Sequence, residues 1–573
     1  MPGMSSRDVN AWIVGDRIDR AATWANGLHT GRFSPQDCRL ALPLELRMRA
    51  VIKVGILVVV SLMFSAMFAF GSASNIYITQ SGSPSGNCKT NVQTPAFFNT
   101  AANWGSGSSQ IGPGTTVLFC GTFAGTAGQT GFTFQGSGAS GNPVILKFDT
   151  GAQMTAPYWG SATSGAISCT GRSYVTIDGG TNGVIQNTAN GTSLANHQSS
   201  YGIFTSNCTD TEIRNLTIQN IYLNQGSTSA ATDTAGQNTG DIYLQGTSTG
   251  SSVHDSVLRN ARVGVEFDFD SGNDASNVSI YNNTISDHPW SIAYGADNAS
   301  STATNVKIYS NDISDWTNWQ FPIATYHTDG FIAYNDITTG PVATFQIYNN
   351  YFHGSLGAGS PTGYIACGET TACTIFNNLM VDGAANLCSG YIWVYAFGGP
   401  HSIYNNTIVG GAASQNIAIN LNAGYGTLKY SQVTVNNNIS TNVAYALVDY
   451  NTSTLSGDVT ASNNNVWRTV SGTAPQLAYN FGGSPTFISF ASWQGTGFDA
   501  NSSTANPNLS GTYALQSGSS AIALGGNLNR VGIVALDSDK AGVVRSASGS
   551  WDAGVYVFGT PPAAPTGLSA IVQ

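Results

Sequence analysis

The hexapeptide IYNNTI stands at Ile280–Ile285 and again, unchanged, at Ile403–Ile408. Between the copies lie IYSNDI from Ile308, IYNNYF from Ile347 and IFNNLM from Ile375. Beyond them come TVNNNI from Thr434 and ASNNNV from Ala461; IRNLTI from Ile213 and VHDSVL from Val253 precede them. The fourth residues are Leu216, Ser256, Asn283, Asn311, Asn350, Asn378, Asn406, Asn437 and Asn464. Most steps are about 28 residues, with two longer ones, a period that marks an array of stacked units. Such a unit cannot bury its apolar side alone, so neighbouring units must supply one continuous core.

Each unit alternates short β-branched and aromatic runs with Gly, Asn, Ser and Thr turns, as in NVSIYNNTISD, and shows no helical period. Three short strands with three turns fill about 28 residues, so successive units pair in parallel, about 4.8 Å apart. Asn adopts left-handed backbone torsions easily, and its amide can bond the same amide one coil away. The recurring Asn is therefore read as an internal ladder. The fold class expected is all-β, a single-stranded parallel β-helix with coils of about 28 residues.

The first 73 residues differ from the rest. Arg47, Arg49 and Lys53 precede the uncharged run VGILVVVSLMFSAMFAF, Val54–Phe70, and the small residues GSAS follow it. That order is the layout of a secretory signal peptide, or of a signal anchor if it is not cleaved. Either way the body is expected outside the cytoplasm, with membrane contact only through this segment. The whole chain has 20 Lys+Arg against 30 Asp+Glu, and eight of the basic residues fall before position 54. No basic cluster remains for a nucleic acid. The body's cysteines are Cys88, Cys120, Cys169, Cys208, Cys367, Cys373 and Cys388, without zinc-ligand spacing. Some should pair in an oxidising compartment, Cys88–Cys120 and Cys367–Cys373 among the candidates, one thiol being left over.

The stacked [IV]xNN units resemble those of the right-handed parallel β-helix proteins of the pectin-lyase-like superfamily. So do SYVTIDGG at Ser173–Gly180 and the segment LDSDKAGVVRSASGSWDAGVYVFG, Leu536–Gly559, which is similar to the closing motif of secreted bacterial members. The resemblance implies a right-handed solenoid. Residues 74–172 would hold an N-terminal cap and first coils, 173–480 the repeats, and 481–559 the last coils and closing motif. A Pro-rich tail, 560–573, follows.

A second repeat offers chemistry. GVEFDFD (Gly264–Asp270), SIAYGAD (Ser291–Asp297), GFIAYND (Gly330–Asp336) and GYIACGE (Gly363–Glu369) read as one strand in consecutive coils. Val265, Ile292, Phe331 and Tyr364 then share an inward column. Asp270, Asp297, Asp336 and Glu369 stack outward, either as a solvated row of turn residues or, their repulsion offset by a hard cation, as a Ca²⁺ site. Many pectate lyases hold Ca²⁺ in an acidic outer groove, so the resemblance implies the same cation; no organic cofactor is expected. The same register sets His288 beside His327 and Trp290 opposite Asp329. Asp329, His327 and His288 are the catalytic candidates, a carboxylate fixing the tautomer of an imidazole base. HTDG at 327–330 resembles the NTDG motif of polygalacturonases, whose Asp is catalytic, although the further Asp pair, the Gly-His-Gly turn and the Arg-x-Lys clamp of that family are missing. Trp290, Trp316, Trp319 and Tyr326 could stack on sugar rings, or pack a loop. With Arg259, Arg262 and Lys307 the sole basic residues of coils 256–336, a neutral glycan suits better than a uronate polymer. The expectation is a secreted polysaccharide hydrolase or lyase; the alternative is a non-catalytic adhesin.

Overall fold

The computed structural model describes residues 72–224, 238–269, 273–296, 300–317, 328–334, 343–356, 362–368, 371–383, 390–395, 399–411, 416–422, 433–450, 455–481 and 483–559. One coil shows the plan: Ser279–Tyr281, Thr284–Ser286 and Trp290–Ala296 are three strands joined by turns. Each pairs in parallel with its counterpart in the next coil, Val306–Tyr309, Asp312–Ser314 and Asp329–Tyr334. Repeated along the chain, this builds three stacked faces, here called the first, second and third sheets in the order the chain enters them, the first two joined through the long strands Ser173–Asn187 and Thr209–Gln219. The architecture is the right-handed parallel β-helix.

Inside runs a continuous apolar core. On the third sheet one file passes through Ile203, Ile242, Val265, Ile292, Phe331, Ile365, Ile392, Ile419 and Leu447. Ile365, not Tyr364, pairs with Phe331, so the GYIACGE strand sits one residue away from the register expected of it. Tyr364 is buried and donates its hydroxyl to Val381 O at 3.0 Å.

The first and second sheets meet at the Asn pairs, and the two residues of a pair do different work. The first residue is left-handed, with φ of 55° at Asn282, 57° at Asn349, 54° at Asn377 and 49° at Asn405. The second points inward. Asn283, Asn311, Asn350, Asn378, Asn406, Asn438 and Asn465 form a buried ladder in which, from Asn311 onward, each Oδ1 accepts from the backbone N–H and the Nδ2 of the residue one coil earlier. The other Nδ2 hydrogen reaches a strand carbonyl such as Ile308 O or Ile347 O. The last two members are Asn438 and Asn465, one residue beyond the expected Asn437 and Asn464, because Val435 rather than Thr434 pairs with Ile403.

Both ends of the core are covered. At the N-terminal end the short helix Pro95–Asn99 lays Phe98 against Trp104, Phe132 and Phe134, ring centroids 4.9, 5.3 and 5.2 Å apart. At the other end the helix Phe490–Gln494, capped by Ser489, brings Trp493 to Asp499. Asp499 also accepts from Asn465 and Trp467, and so closes the ladder. Disulfides join Cys88–Cys120 and Cys367–Cys373, as expected, and Cys169–Cys208 besides. Three disulfides are the mark of a chain matured outside the reducing cytoplasm. No helix among the described residues is long and apolar enough to cross a membrane; the leader lies outside them.

After position 500 the chain makes no further coils. It returns along the outside as a strap over the junction of the first two sheets. Leu536 and Trp551 pack on Phe376 and Tyr404, and Val555 and Tyr556 pack on Leu379 and Val381. The outer Asn residues hold it: Asn437 Nδ2 donates to Gly526 O, Asn405 Nδ2 to Asp552 O and Gly554 O, and Asn377 Nδ2 to Ser538 O. Arg545 donates to Asn377 Oδ1 at 2.8 Å. Asp539 folds the strap on itself by accepting the N–H groups of Ala541, Val543 and Val557. The residues that carried the resemblance to a closing motif are thus those that shape and dock this strap.

Candidate functional site

The turn between the first two sheets is an Asn pair or its equivalent in coil after coil, and its length does not vary from His254–Val257 to Asn436–Ile439. Connections that enter or leave the third sheet vary widely. Ser286 reaches Trp290 by a short path, whereas Ser314 reaches Asp329, and Asp382 reaches Ile392, by long ones. Insertions gather where a rigid scaffold tolerates them and where recognition is built. The third sheet is the floor on which they converge.

The outward file of that floor runs Phe204, Tyr243, Glu266, Ala293, Ile332, Ala366, Trp393, Asn420 and Val448. At the strand starts Val263, Trp290, Asp329 and Gly363 stand in line. Val263, Trp290, Ala293, Ile332 and Ala366 form an apolar cluster separate from the main core, with Trp393 against it, and Tyr201, Phe204 and Tyr243 form another. The Arg262 guanidinium lies over the Trp290 ring, 4.5 Å from its centroid. Carboxylates, an amide and indoles on one apolar floor suit a ligand with both hydroxyls and apolar ring faces.

Asp329 sits opposite Trp290, as the sequence register required, and is fully enclosed. Trp316 is buried in the main core, its ring 5.2 Å from Tyr364, and its indole N–H donates to Asp329 O at 2.8 Å. It braces the strand that carries Asp329 and has no free face for a sugar. Trp290 is 8% exposed, one face being taken by Arg262. His327, Trp319 and Tyr326 lie outside the described residues, as do Asp270, Asp297, Asp336 and Glu369. Among the described residues no three His, Cys, Asp or Glu side chains converge on a point that a metal could occupy.

His288 belongs to the interior rather than to a groove. It and Asp241 are both fully buried, with Nε2 2.8 Å from Oδ2. Burial pushes the imidazole down to about 3 and the Asp241 carboxyl well up. Gly264 lies beside the pair; a Cβ there would stand 2.5 Å from Ser291 O and 2.8 Å from Ile285 Cγ2. An imidazole so placed cannot reach an external polymer.

The sequence reading passed over a second outward column, on the first sheet. It runs Lys147, Asp178, Arg214, His254, Tyr281, Tyr309, Tyr348, Phe376 and Tyr404. Its charged end is self-satisfied. Arg214 bridges Asp178 at 3.2 Å and Glu212 at 2.8 Å, and His254 lies between Glu212 at 3.2 Å and Asp255 at 2.7 Å. Burial alone would raise the Asp178 carboxyl; Asn215, the Gly180 N–H and Arg214 outweigh it and hold it below the usual range. From His254 to Phe376 the rings stack 4.5, 4.8, 4.9 and 4.7 Å apart and nearly parallel. Each ring covers its neighbour's face, so the column shows edges, not the faces that sugar stacking needs. The signal was present in the sequence as the Tyr of IYNN, IYSN and IYNN.

No protein-family model matches the chain, and no curated protein is similar to it. Among solved structures it is similar to pectate lyase Pel9A, at 14% identity and a TM-score of 0.40, over 85% of this chain and 97% of the other. It is similar to a mannuronic acid specific polysaccharide family 6 lyase from human gut microbiota, at 12% and 0.41, over 71% and 82%. A third is the catalytic unit of a GH87 α-1,3-glucanase from Streptomyces thermodiastaticus strain HF3-3, at 13% and 0.40, over 68% and 62%. These likenesses assign no residue of this chain a role.

Proposed function

We propose that this chain binds and cleaves a neutral extracellular polysaccharide along the outer face of its third sheet. The observation that supports the reading is that, from His254 onward, the connections of variable length lie at the rims of that one sheet, above a floor of aromatics with Glu266 among them. A linear polymer fits a floor whose side chains recur once per coil, about 4.8 Å. The scarcity of cations, with Arg262 already over Trp290, disfavours a polyanion.

In this reading Asp329 is the acid–base carboxyl and His327 its partner. The acid protonates the glycosidic oxygen as the C–O bond breaks, and water completes hydrolysis at the sugar carbon. Trp290, Trp319 and Tyr326 contact the sugar, while Trp316 positions Asp329. Ca²⁺ at Asp270, Asp297, Asp336 and Glu369 would neutralise their mutual repulsion.

Asp329→Asn should lower reducing-end release from a neutral glycan by about 100-fold or more, with an unchanged melting temperature. Full activity in that variant removes Asp329 from catalysis. The calcium proposal has its own test: EDTA should lower the melting temperature and added Ca²⁺ restore it, whereas a flat titration eliminates the site. The complete enclosure of Asp329 favours one other reading, a non-catalytic adhesin. It predicts retention on an immobilised glycan with no product formed.

A further inference from the structure

Under the strap, the carboxamides of Asn377, Asn405 and Asn437 are occupied at both ends. Asn377 donates to Ser538 O and accepts from Arg545. Asn405 donates to Asp552 O and Gly554 O and accepts from Asn437 Nδ2 at 3.2 Å. Asn437 donates also to Gly526 O and accepts the Gly526 N–H at 2.9 Å. Asn349 differs: its Oδ1 is buried and has no hydrogen-bond partner. The strap brings a single lysine to this residue. Lys540 Nζ donates to the Asn349 main-chain carbonyl, one residue removed from the Asp539 that shapes the strap.

We propose that Lys540 and Asn349 are joined by an intramolecular isopeptide bond that locks the strap to the β-helix. Nζ of the neutral amine adds to Cγ of the Asn349 carboxamide, the Nζ–Cγ bond forms and the Cγ–Nδ2 bond breaks. The proton lost by Nζ passes to the departing Nδ2, which leaves as ammonia, so no oxidant or cofactor is needed.

Three features of the locality serve this chemistry. A carboxylate to relay the proton is at hand in Asp312, whose charge acts on Lys540 and whose Oδ1 accepts from His353 Nε2 at 2.6 Å. Tyr351, stacked on His353 at 4.1 Å, and Tyr556 give the pocket its apolar walls. The lysine as a whole is half-buried, but burial of its amine end lowers it to about 7 against the pull of Asp312, so the nucleophilic free base is populated at neutral pH. The titratable groups around it are Asp312, His353, Tyr351, Tyr513, Tyr556 and Asp539.

The test is peptide mapping of the purified, reduced full-length chain by tandem mass spectrometry. A branched peptide containing Lys540 and Asn349, lighter than its two parts by one ammonia, is expected. Lys540→Arg should yield both parts at full mass, and so should Asp312→Ala, which leaves both reacting residues in place. Recovery of unmodified Lys540 and Asn349 peptides from wild type overturns the proposal, because the measurement needs neither activity nor a stable variant. A branched peptide that survives in Asp312→Ala overturns the role given to that carboxylate.

Discussion

Asn378→Ala should cost about 3–9 kcal/mol and place the chain near the limit of folding, since three buried groups lose partners worth about 1–3 kcal/mol each. The Ile347 carbonyl loses the donor at 2.8 Å, and Asn350 loses the acceptor of both its backbone N–H and its Nδ2–H, at 3.1 and 3.0 Å. Water cannot replace them, because Asn350 and Asn378 have no exposure. Asn282→Gly provides the contrast. Asn282 is exposed with φ of 55°, a conformation glycine takes freely, and the change should stay within about 0.5 kcal/mol. Urea unfolding followed by far-UV circular dichroism measures both. A loss under about 1 kcal/mol for Asn378→Ala would mean that the ladder is geometry without energetic weight.

The second large effect is expected at Asp499, which is fully buried and accepts from the indoles of Trp467 at 3.1 Å and Trp493 at 2.8 Å. It also takes Asn465 Nδ2 at 2.9 Å and the hydroxyls of Ser462 and Ser502. Asp499→Ala strands these donors at once and should cost about 3–5 kcal/mol, the range for breaking a buried charged contact. In a stack of units coupled to nearest neighbours, the damage should stay local. Hydrogen exchange should rise in the strands Val433–Asn436 and Val459–Asn463 while Val144–Phe148 and Ser173–Asn187 keep their protection. Uniform loss of protection along the chain would show the coils to be more tightly coupled than that.

The two variants also show why the solenoid was legible from residues alone. An Asn at a turn of fixed length recurs at the coil period, and its chemistry dictates what that position must do. The slips have equally physical origins. In TVNNNI three consecutive Asn leave the ladder member ambiguous by one, and only the pairing of Val435 with Ile403 decides it. In GYIACGE an aromatic one residue early passes for the inward Ile365. The strap was harder to see, since its contacts join residues 89 to 191 positions apart, from Asn437 with Gly526 to Asn349 with Lys540. No local period reports such a distance. The site was half legible for a similar reason: register put Trp290 opposite Asp329, but nothing local told that His288 would turn inward to Asp241. The Tyr281–Tyr348 column was overlooked because its neighbours in the repeat, the Asn pair, gave a sufficient account of the same hexapeptide.

The strap has a consequence for how such a chain can grow or shrink. Its anchors grip Asn437, Asn377 and Asn349 on the way out and Asn405 on the way back, so the number of storeys between them is pinned by a tape of fixed reach. Gaining or losing one storey in that span would put every later anchor out of step. The flight from Val144–Phe148 to Val306–Tyr309 carries no such tape. Duplication or deletion of a whole turn there would leave the anchors of the strap in step.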